Sequence, residues 1–470
     1  MSNDICAMSA VALLQAYRRK KLSPVEAATA ILQRIEQRNG ALNAFCLVDA
    51  ESALKSARAS QRRWAKGAPM GPLDGVPVGI KDLALTKGWP TLRGSTVVDP
   101  KQPWNDDAPV VARLREAGAV LIGKTATPEY GWKGVTDSKL GGITRNPWNP
   151  RMTPGGSSGG AAVALAAGMG PLMTGSDGGG SIRIPGGFTG VFGIKPTFGR
   201  VPAWPLSPFG TVSHIGPMSR TVTDSALMLS AIARPDARDW YALAPDNADY
   251  AKGLNAGVKG LRIGFSPDLG HAKVDPEVAA AVAAGAKLFA KLGAKVEAAD
   301  PGKGTSVFTD CLGYFTVHWF AGAANLLTQF SDEQRAQMDP GLVEIATIGA
   351  RYTVLEYLAA VKRREELGVA MNRFHETYDL LLTPSLPIPA FEAGREVPAG
   401  SGMQRWMEWT PFTYPFNLTR QPAVTIPCGL TKSGLPIGLQ LVGPMYGDAM
   451  VLRASRAFEE ARPFPMPAMN

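Results

Sequence analysis

The hydrophobic pattern changes period along the chain, and the changes mark out elements. From residue 7 to 66 apolar positions recur every three or four residues, predicting amphipathic helices. Ser9 can cap the first, Ser23-Pro24 opens a second, and Glu51 to Trp64 continues helically. Leu73 to Leu85 is an apolar run holding one lysine, Lys81; Ala108 to Ala117 reads as a helix and Ala119 to Ile122 as a buried strand. Between Thr153 and Gly199 two glycine-flanked serine sites are joined by an alanine-rich segment, Ala161 to Leu165, that predicts a buried helix. Beyond them come a helix at Asp224–Ala233, a strand at Leu261–Phe265, a helix at Pro276–Leu292 and a strand near Lys295-Val296-Glu297. Residues 305–375 read as largely helical. Strands follow at Tyr378–Pro384, Ala423–Pro427 and Leu435–Val442, and a helix at Asp448–Ala461 closes the chain. The Pro/Gly-rich segment 385–402 reads as a surface loop or flap. Helices alternating with short strands predict an α/β fold with a mostly mixed sheet covered on both sides.

Composition narrows the classes. With 470 residues, 45% of them hydrophobic, a large core is available. The net charge of +9 would permit an acidic partner, but the basic residues are scattered. The densest runs, Arg18 to Lys21 and Lys362 to Arg364, read as solvated helix faces, so no nucleic acid is expected. Cys6, Cys46, Cys311 and Cys428 form no CxxC pair, which predicts neither a disulfide framework nor a zinc site, and reduced thiols fit a cytoplasmic protein. The N-terminus lacks the charge-then-apolar order of a signal peptide, and no segment approaches about 20 uninterrupted apolar residues, so no membrane span is expected.

The chemistry concentrates in Gly155-Gly156-Ser157-Ser158-Gly159-Gly160 and Asp177-Gly178-Gly179-Gly180-Ser181. Glycines that dense mark positive φ or close backbone approach to a ligand. Amide hydrolysis needs an activated nucleophile, a proton relay and an oxyanion site, and serine supplies the first. Gly155-x-Ser157-x-Gly159 fits the nucleophile elbow of α/β-hydrolases, which would need a later acid and a histidine. Of the four histidines, His318 and His375 fall in helical stretches and His214 is the least implausible base, while Asn146 to Pro150 makes a poor strand before the elbow. Lys81 is the other base candidate, because burial disfavours an ammonium. Gly118 to Thr125 matches a phosphate-loop pattern, but its interior is strand-like and Pro128 obstructs the helix that should follow. Ser52 to Lys55 matches S-x-x-K without the motifs that would accompany it.

Four motifs in order, Gly75 to Asp82, Gly155 to Gly160, Asp177 to Pro185 and Gly193 to Arg200, make the chain resemble the amidase signature enzymes. The resemblance implies the amidase-signature α/β/α fold, with a large twisted mixed sheet between helical layers. It also implies a Ser-Ser-Lys arrangement: Ser181 as nucleophile, Ser157 as bridging serine after a cis Gly156-Ser157 bond, and Lys81 as base. The amides of Gly178, Gly179, Gly180 and Ser181 become the oxyanion donors, and Ser158, Ser176, Asp177 and Arg183 the supporting residues. Tyr130, Trp132, Thr410, Phe412 and Tyr414 are substrate-cleft candidates, the aromatics with core packing as their alternative. The expected organisation is effectively one domain: an N-terminal helical layer, 1–66, on a signature domain, 67–470, with its core about 70–235 and a helical cleft region about 305–420. The implied enzyme is a monomer or homodimer that needs no cofactor or metal and cleaves C–N bonds of small amides, anilides or carbamates. Two alternatives stand beside it: a component of a glutamine-dependent amidotransferase that works on charged tRNA, and an esterase using Ser157 and a histidine.

Overall fold

Thirteen strands alternate with helices in the computed structural model, which describes residues 2–245, 248–464 and 466–467. In chain order they are β1 (Phe45–Val48), β2 (Pro77–Lys81), β3 (Val120–Thr125), β4 (Asp137–Ser138), β5 (Gly142–Ile143), β6 (Leu172–Asp177) and β7 (Phe192–Lys195). Then follow β8 (His214–Ser219), β9 (Arg262–Phe265), β10 (Lys295–Ala298), β11 (Leu380–Pro384), β12 (Ala423–Leu430) and β13 (Pro436–Val442). Strands β4 and β5 form a small hairpin, and the other eleven form one sheet in the order β1-β3-β2-β6-β8-β7-β12-β13-β11-β9-β10. The sheet is mixed: β3-β2-β6 and β11-β9-β10 run parallel, while β6-β8-β7-β12-β13-β11 are joined antiparallel.

Both faces of this sheet are buried, because successive side chains of a strand point to opposite sides. Leu121 packs with the helices Pro109–Glu116 and Val222–Ile232, whereas its neighbours Val120 and Ile122 pack on the other face with Ala161 to Leu165. Leu380 and Leu382 likewise join the cluster of Val282 and Phe289, and Leu381 between them joins that of Phe315 and Trp319. This is the large mixed sheet between two helical layers that the resemblance implied.

The predicted helix starts recur with their caps. Ser9 accepts from Ala12 N–H, and Ser23 forms a reciprocal capping box with Glu26 ahead of Pro24. Residues 7–66 are not all helix, however. Phe45–Val48 is the edge strand β1, antiparallel to β3, and Asn39 fixes its start by accepting from Ala44 and Phe45 N–H. Leu172–Asp177 and Phe192–Lys195 within the glycine-rich region, and His214–Ser219 after it, are also strands that hydrophobic periodicity did not mark. The basic run at 362–364 departs from the expected solvated face, since Arg364 is half-buried and donates to Leu418 O and to Thr211. Segment 385–402 holds no helix or sheet strand, but Thr153 N–H donates to Phe391 O at 2.7 Å and Ala393 N–H to Arg151 O at 2.9 Å. Among the described residues no helix is long and apolar enough to cross a membrane.

Candidate active site

Lys81 is the last residue of β2, and Ser176 and Asp177 end the parallel neighbour β6. The carboxyl ends of adjacent parallel strands leave a crevice where loops converge. Pleating sends Val78 and Ile80 into the core on one face, and Lys81 to the other. There Nζ of Lys81 lies 2.8 Å from Ser157 Oγ, 2.8 Å from Ser158 Oγ and 2.9 Å from Ser176 Oγ. Thr174 Oγ1 accepts from Lys81 N–H at 2.8 Å and ties the two strand ends together.

Lys81 is only 2% exposed, and burial drives its pKa well below the ordinary lysine value; the Asp177 charge opposes this without reversing it. A neutral amine has one lone pair and two N–H groups, so it can accept one of the three hydroxyl protons and donate to the other two oxygens.

The loop carrying Ser157 is fixed from several sides. The Gly156-Ser157 peptide is cis. Thr136 Oγ1–H donates to Gly155 O at 2.8 Å and accepts from Gly159 N–H at 3.1 Å, bracketing the serine. The helix Gly159–Ala166 opens immediately after Ser158, so its positive end lies beside Ser157.

Ser181 is brought to this loop by its main chain, since Ser158 N–H donates to Ser181 O at 3.1 Å. Its side chain is 4% exposed and makes no hydrogen bond to any described residue. The Asp177 carboxylate folds the preceding glycines into a turn by accepting from Gly180 N–H at 2.8 Å and Ile182 N–H at 3.2 Å. This corrects one expectation: the Gly180 amide is committed to Asp177 and is not free for an oxyanion. The amides of Gly178, Gly179 and Ser181 donate to no described residue. Gly180 has φ +131°, and a Cβ on Gly179 would stand 2.6 Å from Trp406 and 2.9 Å from Phe315. The glycines therefore serve close approach of aromatic rings as well as exposure of amides.

Asp177 and Arg183 are fully buried and doubly bonded, Nε to Oδ2 at 3.0 Å and Nη2 to Oδ1 at 2.9 Å. Burial acts to raise the Asp177 pKa, but the Arg183 charge overcomes it and holds the carboxyl below the usual carboxylate range. The same guanidinium donates to Thr413 O, Gln440 Oε1 and Asn417 Oδ1, so the loop is clamped from the C-terminal third of the chain. Thr413 completes the clamp by donating to Gly179 O at 2.6 Å. Sequence reasoning missed Thr136, Thr413, Asn417 and Gln440. The only signal was that Thr413 and Asn417 stand in the aromatic run Phe412 to Leu418.

The cleft candidates divide. Trp132, Thr410, Phe412 and Tyr414 are between 0% and 3% exposed and belong to the interior: the three rings pack in the aromatic cluster that covers the glycine turn, and Thr410 Oγ1 donates to the main-chain oxygens of Trp406 or Met407. Trp319 stacks on Phe209, Phe315 stacks on Tyr414, and Trp406 meets both Phe315 and Trp319 edge-on. Only Tyr130 is half-exposed, with its ring 5.8 Å from Phe330 and the Arg93 guanidinium 5.9 Å away.

The competing chemistries find little here. His214 Nδ1 faces Val212 O at 2.8 Å and Asp177 O at 3.2 Å, and burial pushes its pKa well below the ordinary value. No strand leads directly into the Ser157 loop, residues 144–156 holding none, and the Oγ partner of Ser157 is a lysine. Gly118 to Thr125 runs into β3, where Lys124 Nζ is held by Ala84 O, Thr91 and Thr86 within the core.

The chain is similar to known proteins over nearly its whole length. The amidase family model matches residues 26–452. The chain is 39% identical to an acylamidase of Rhodococcus erythropolis, over 97% of this chain and 96% of that one. It is 37% identical to one of the subunits of the glutamyl-tRNA(Gln) amidotransferase of Geobacter metallireducens, over 94% of this chain and 95% of that one. A solved bacterial aryl acylamidase of the amidase signature enzymes superimposes with TM-score 0.90 at 31% identity, over 97% of this chain and 96% of that chain. An eleven-stranded mixed sheet, the four motifs in order and a match running from residue 26 to 452 place this chain in the amidase signature family.

Proposed function

We propose that this chain hydrolyses the C–N bond of linear carboxylic amides, anilides or aryl carbamates through an acyl-enzyme on Ser181. The observation that carries the reading is a buried lysine, driven toward its neutral form, 2.8 Å from the Ser157 hydroxyl beside the Ser181 loop. In this scheme Lys81 takes the Ser157 proton as Ser157 takes that of Ser181, and Ser181 Oγ attacks the carbonyl carbon. The carbonyl oxygen becomes an anion facing the amides of Gly178, Gly179 and Ser181, each such donor being worth about 3 to 4 kcal/mol. As the C–N bond breaks, the relay runs backward and its proton goes to the leaving nitrogen. Water, deprotonated by the same relay, then releases the acid. Ser158 and Ser176 keep the lysine aimed, and Asp177 and Arg183 shape the glycine turn.

Two observations favour an apolar substrate over glutamine. Trp319 packs beside Gly178, and Trp406 and Phe315 beside Gly179, so the surroundings of the glycine turn are apolar. The segment before Phe412 also supplies no carboxylate to pair with an α-ammonium. Thr410 bonds to Trp406 O and Met407 O, and Glu408 is exposed with its carboxylate on the amides of Gln404 and Arg405. A buried ammonium without a carboxylate is strongly disfavoured.

The test is steady-state kinetics of the purified chain alone with an aryl amide, a long-chain amide, an aryl carbamate and glutamine. The first three should show the higher kcat/KM. Preference for glutamine, or turnover only with partner proteins and tRNA, would overturn the reading.

A further inference from the structure

Beside the Ser157 loop two segments face each other through residues in the left-handed region of backbone space. Arg93 has φ +57° and Tyr130 φ +51°, and Tyr130 N–H donates to Arg93 O at 2.7 Å. Side chains seldom adopt that conformation unless their surroundings enforce it, and such residues gather at ligand sites. The pairing sets the half-buried Arg93 guanidinium 5.9 Å from the Tyr130 ring. Neither the guanidinium nor the Tyr130 hydroxyl makes a hydrogen bond or an ion pair with any described residue. The acidic groups around them are committed elsewhere. Asp82 lies 3.7 Å from Lys124 Nζ and has the main-chain amides of Gly94 and Arg93 facing its carboxylate, while the Arg93 charge acts on it only from beyond ion-pair distance. Glu129, in the same turn as Tyr130, accepts from Ser95 Oγ–H and from Asp339 N–H. Arg93 is thus a half-buried cation with no carboxylate at contact range among the described residues, and its forked donors match an incoming carboxylate.

We propose that Arg93, with the Tyr130 hydroxyl, selects amides whose leaving amine carries a carboxylate, an N-acylated aminobenzoate being the simplest anilide of that class. The side of the substrate follows from Ser157. Gly131 comes next after Tyr130 and packs on that serine, where a Cβ would stand 3.2 Å from Ser157 Oγ. In the proposed relay Ser157 hands the proton to the leaving nitrogen, which therefore comes within hydrogen-bond reach of Ser157 Oγ. An aryl group on that nitrogen extends past Gly131 to lie against the Tyr130 ring, and a carboxylate beyond the ring takes two N–H groups of Arg93. The selection rests on anilide hydrolysis through Ser181 and adds to it the charge of the preferred leaving group.

Steady-state kinetics with 4-acetamidobenzoate and 4-methylacetanilide, whose leaving amines are electronically similar, test this. The wild-type chain should favour the carboxylate by about tenfold or more in kcat/KM, chiefly through KM, and Arg93→Met should bring the ratio close to one. Arg93→Lys should keep part of the preference, and Arg93→Glu should turn it toward 4-(aminomethyl)acetanilide, whose leaving amine is cationic. A loss of folded protein lowers turnover of every substrate alike and leaves these ratios in place. A wild-type ratio close to one, or a ratio that Arg93→Met leaves unchanged, overturns the inference while anilide hydrolysis stands. So does a stronger preference for N-phenylsuccinamate, which carries its carboxylate on the acyl side. Failure to turn over any anilide overturns both.

Discussion

Asn417 Nδ2 donates at 2.8 Å to both the main-chain oxygen and Oδ1 of Asp177, across 240 residues of sequence. Its own Oδ1 accepts from Arg183 at 2.7 Å. One amide side chain therefore bonds both members of a fully buried ion pair and holds the strand end from which the glycine turn departs. Asn417→Ala should lower stability by about 1 to 3 kcal/mol, because buried donors and acceptors are left unmade. It should also reduce kcat more than it raises KM. Denaturant unfolding with parallel kinetics checks both, and an active variant of wild-type stability would remove Asn417 from the account.

The proton relay ranks the variants. Ser181→Ala should lose about 10,000-fold or more in kcat and all labelling by a fluorophosphonate. Ser157→Ala and Lys81→Met should fold and lose about 100- to 10,000-fold. His214→Ala should fall little, since its ring bonds only main-chain oxygens. Adduct mass on Ser157, or a larger loss in His214→Ala than in Lys81→Met, would restore the histidine reading.

Lys81 also links stability to pH. Its folded pKa is depressed by burial, whereas in the unfolded chain it takes the ordinary lysine value. Between the two values the unfolded state binds more protons, so stability rises with pH across that window and is lost as pH falls through it. Lys81→Met removes the group, and should melt higher than wild type at neutral pH while being nearly inactive. In the wild type, kcat/KM should rise toward alkaline pH and level off below the ordinary lysine value. Melting curves and pH–rate profiles of both proteins test this, and a variant that melts lower at neutral pH would show that the ammonium form is not penalised.

Gly179→Ala isolates the role of close packing. The added Cβ would meet Trp406 at 2.6 Å and Phe315 at 2.9 Å, so the rings or the turn must shift. Overpacking of this kind costs about 1 to 3 kcal/mol. Activity should fall with stability, because the displaced turn carries the Ser181 amide. A fully active Gly179→Ala would mean the rings are not held against the turn.

The sequence by itself determined which residues are assembled and most of the helices, because caps, glycine runs and helical periodicity are local properties of the chain. The Ser23-Pro24 helix start, the Ala161–Leu165 helix and the order of the four motifs were all legible without coordinates. The cis Gly156-Ser157 bond came only by resemblance, since no local pattern announces it. Tertiary structure alone decided how groups distant in sequence meet. Strands β6, β7 and β8 are short and glycine-bearing, so only their neighbours in the sheet make them strands. Lys81 was one lysine in an apolar run until the fold enclosed its amine among Ser157, Ser158 and Ser176, 76 to 95 residues away. The Gly180 amide looked as free as its neighbours, and the Asp177 carboxylate took it. Trp132, Phe412 and Tyr414 had the composition of a cleft wall and became interior, because burial is a property of the packed layers and not of the residue. Asn417 and Gln440 carried no motif at all; their roles exist only once Arg183 is buried between them.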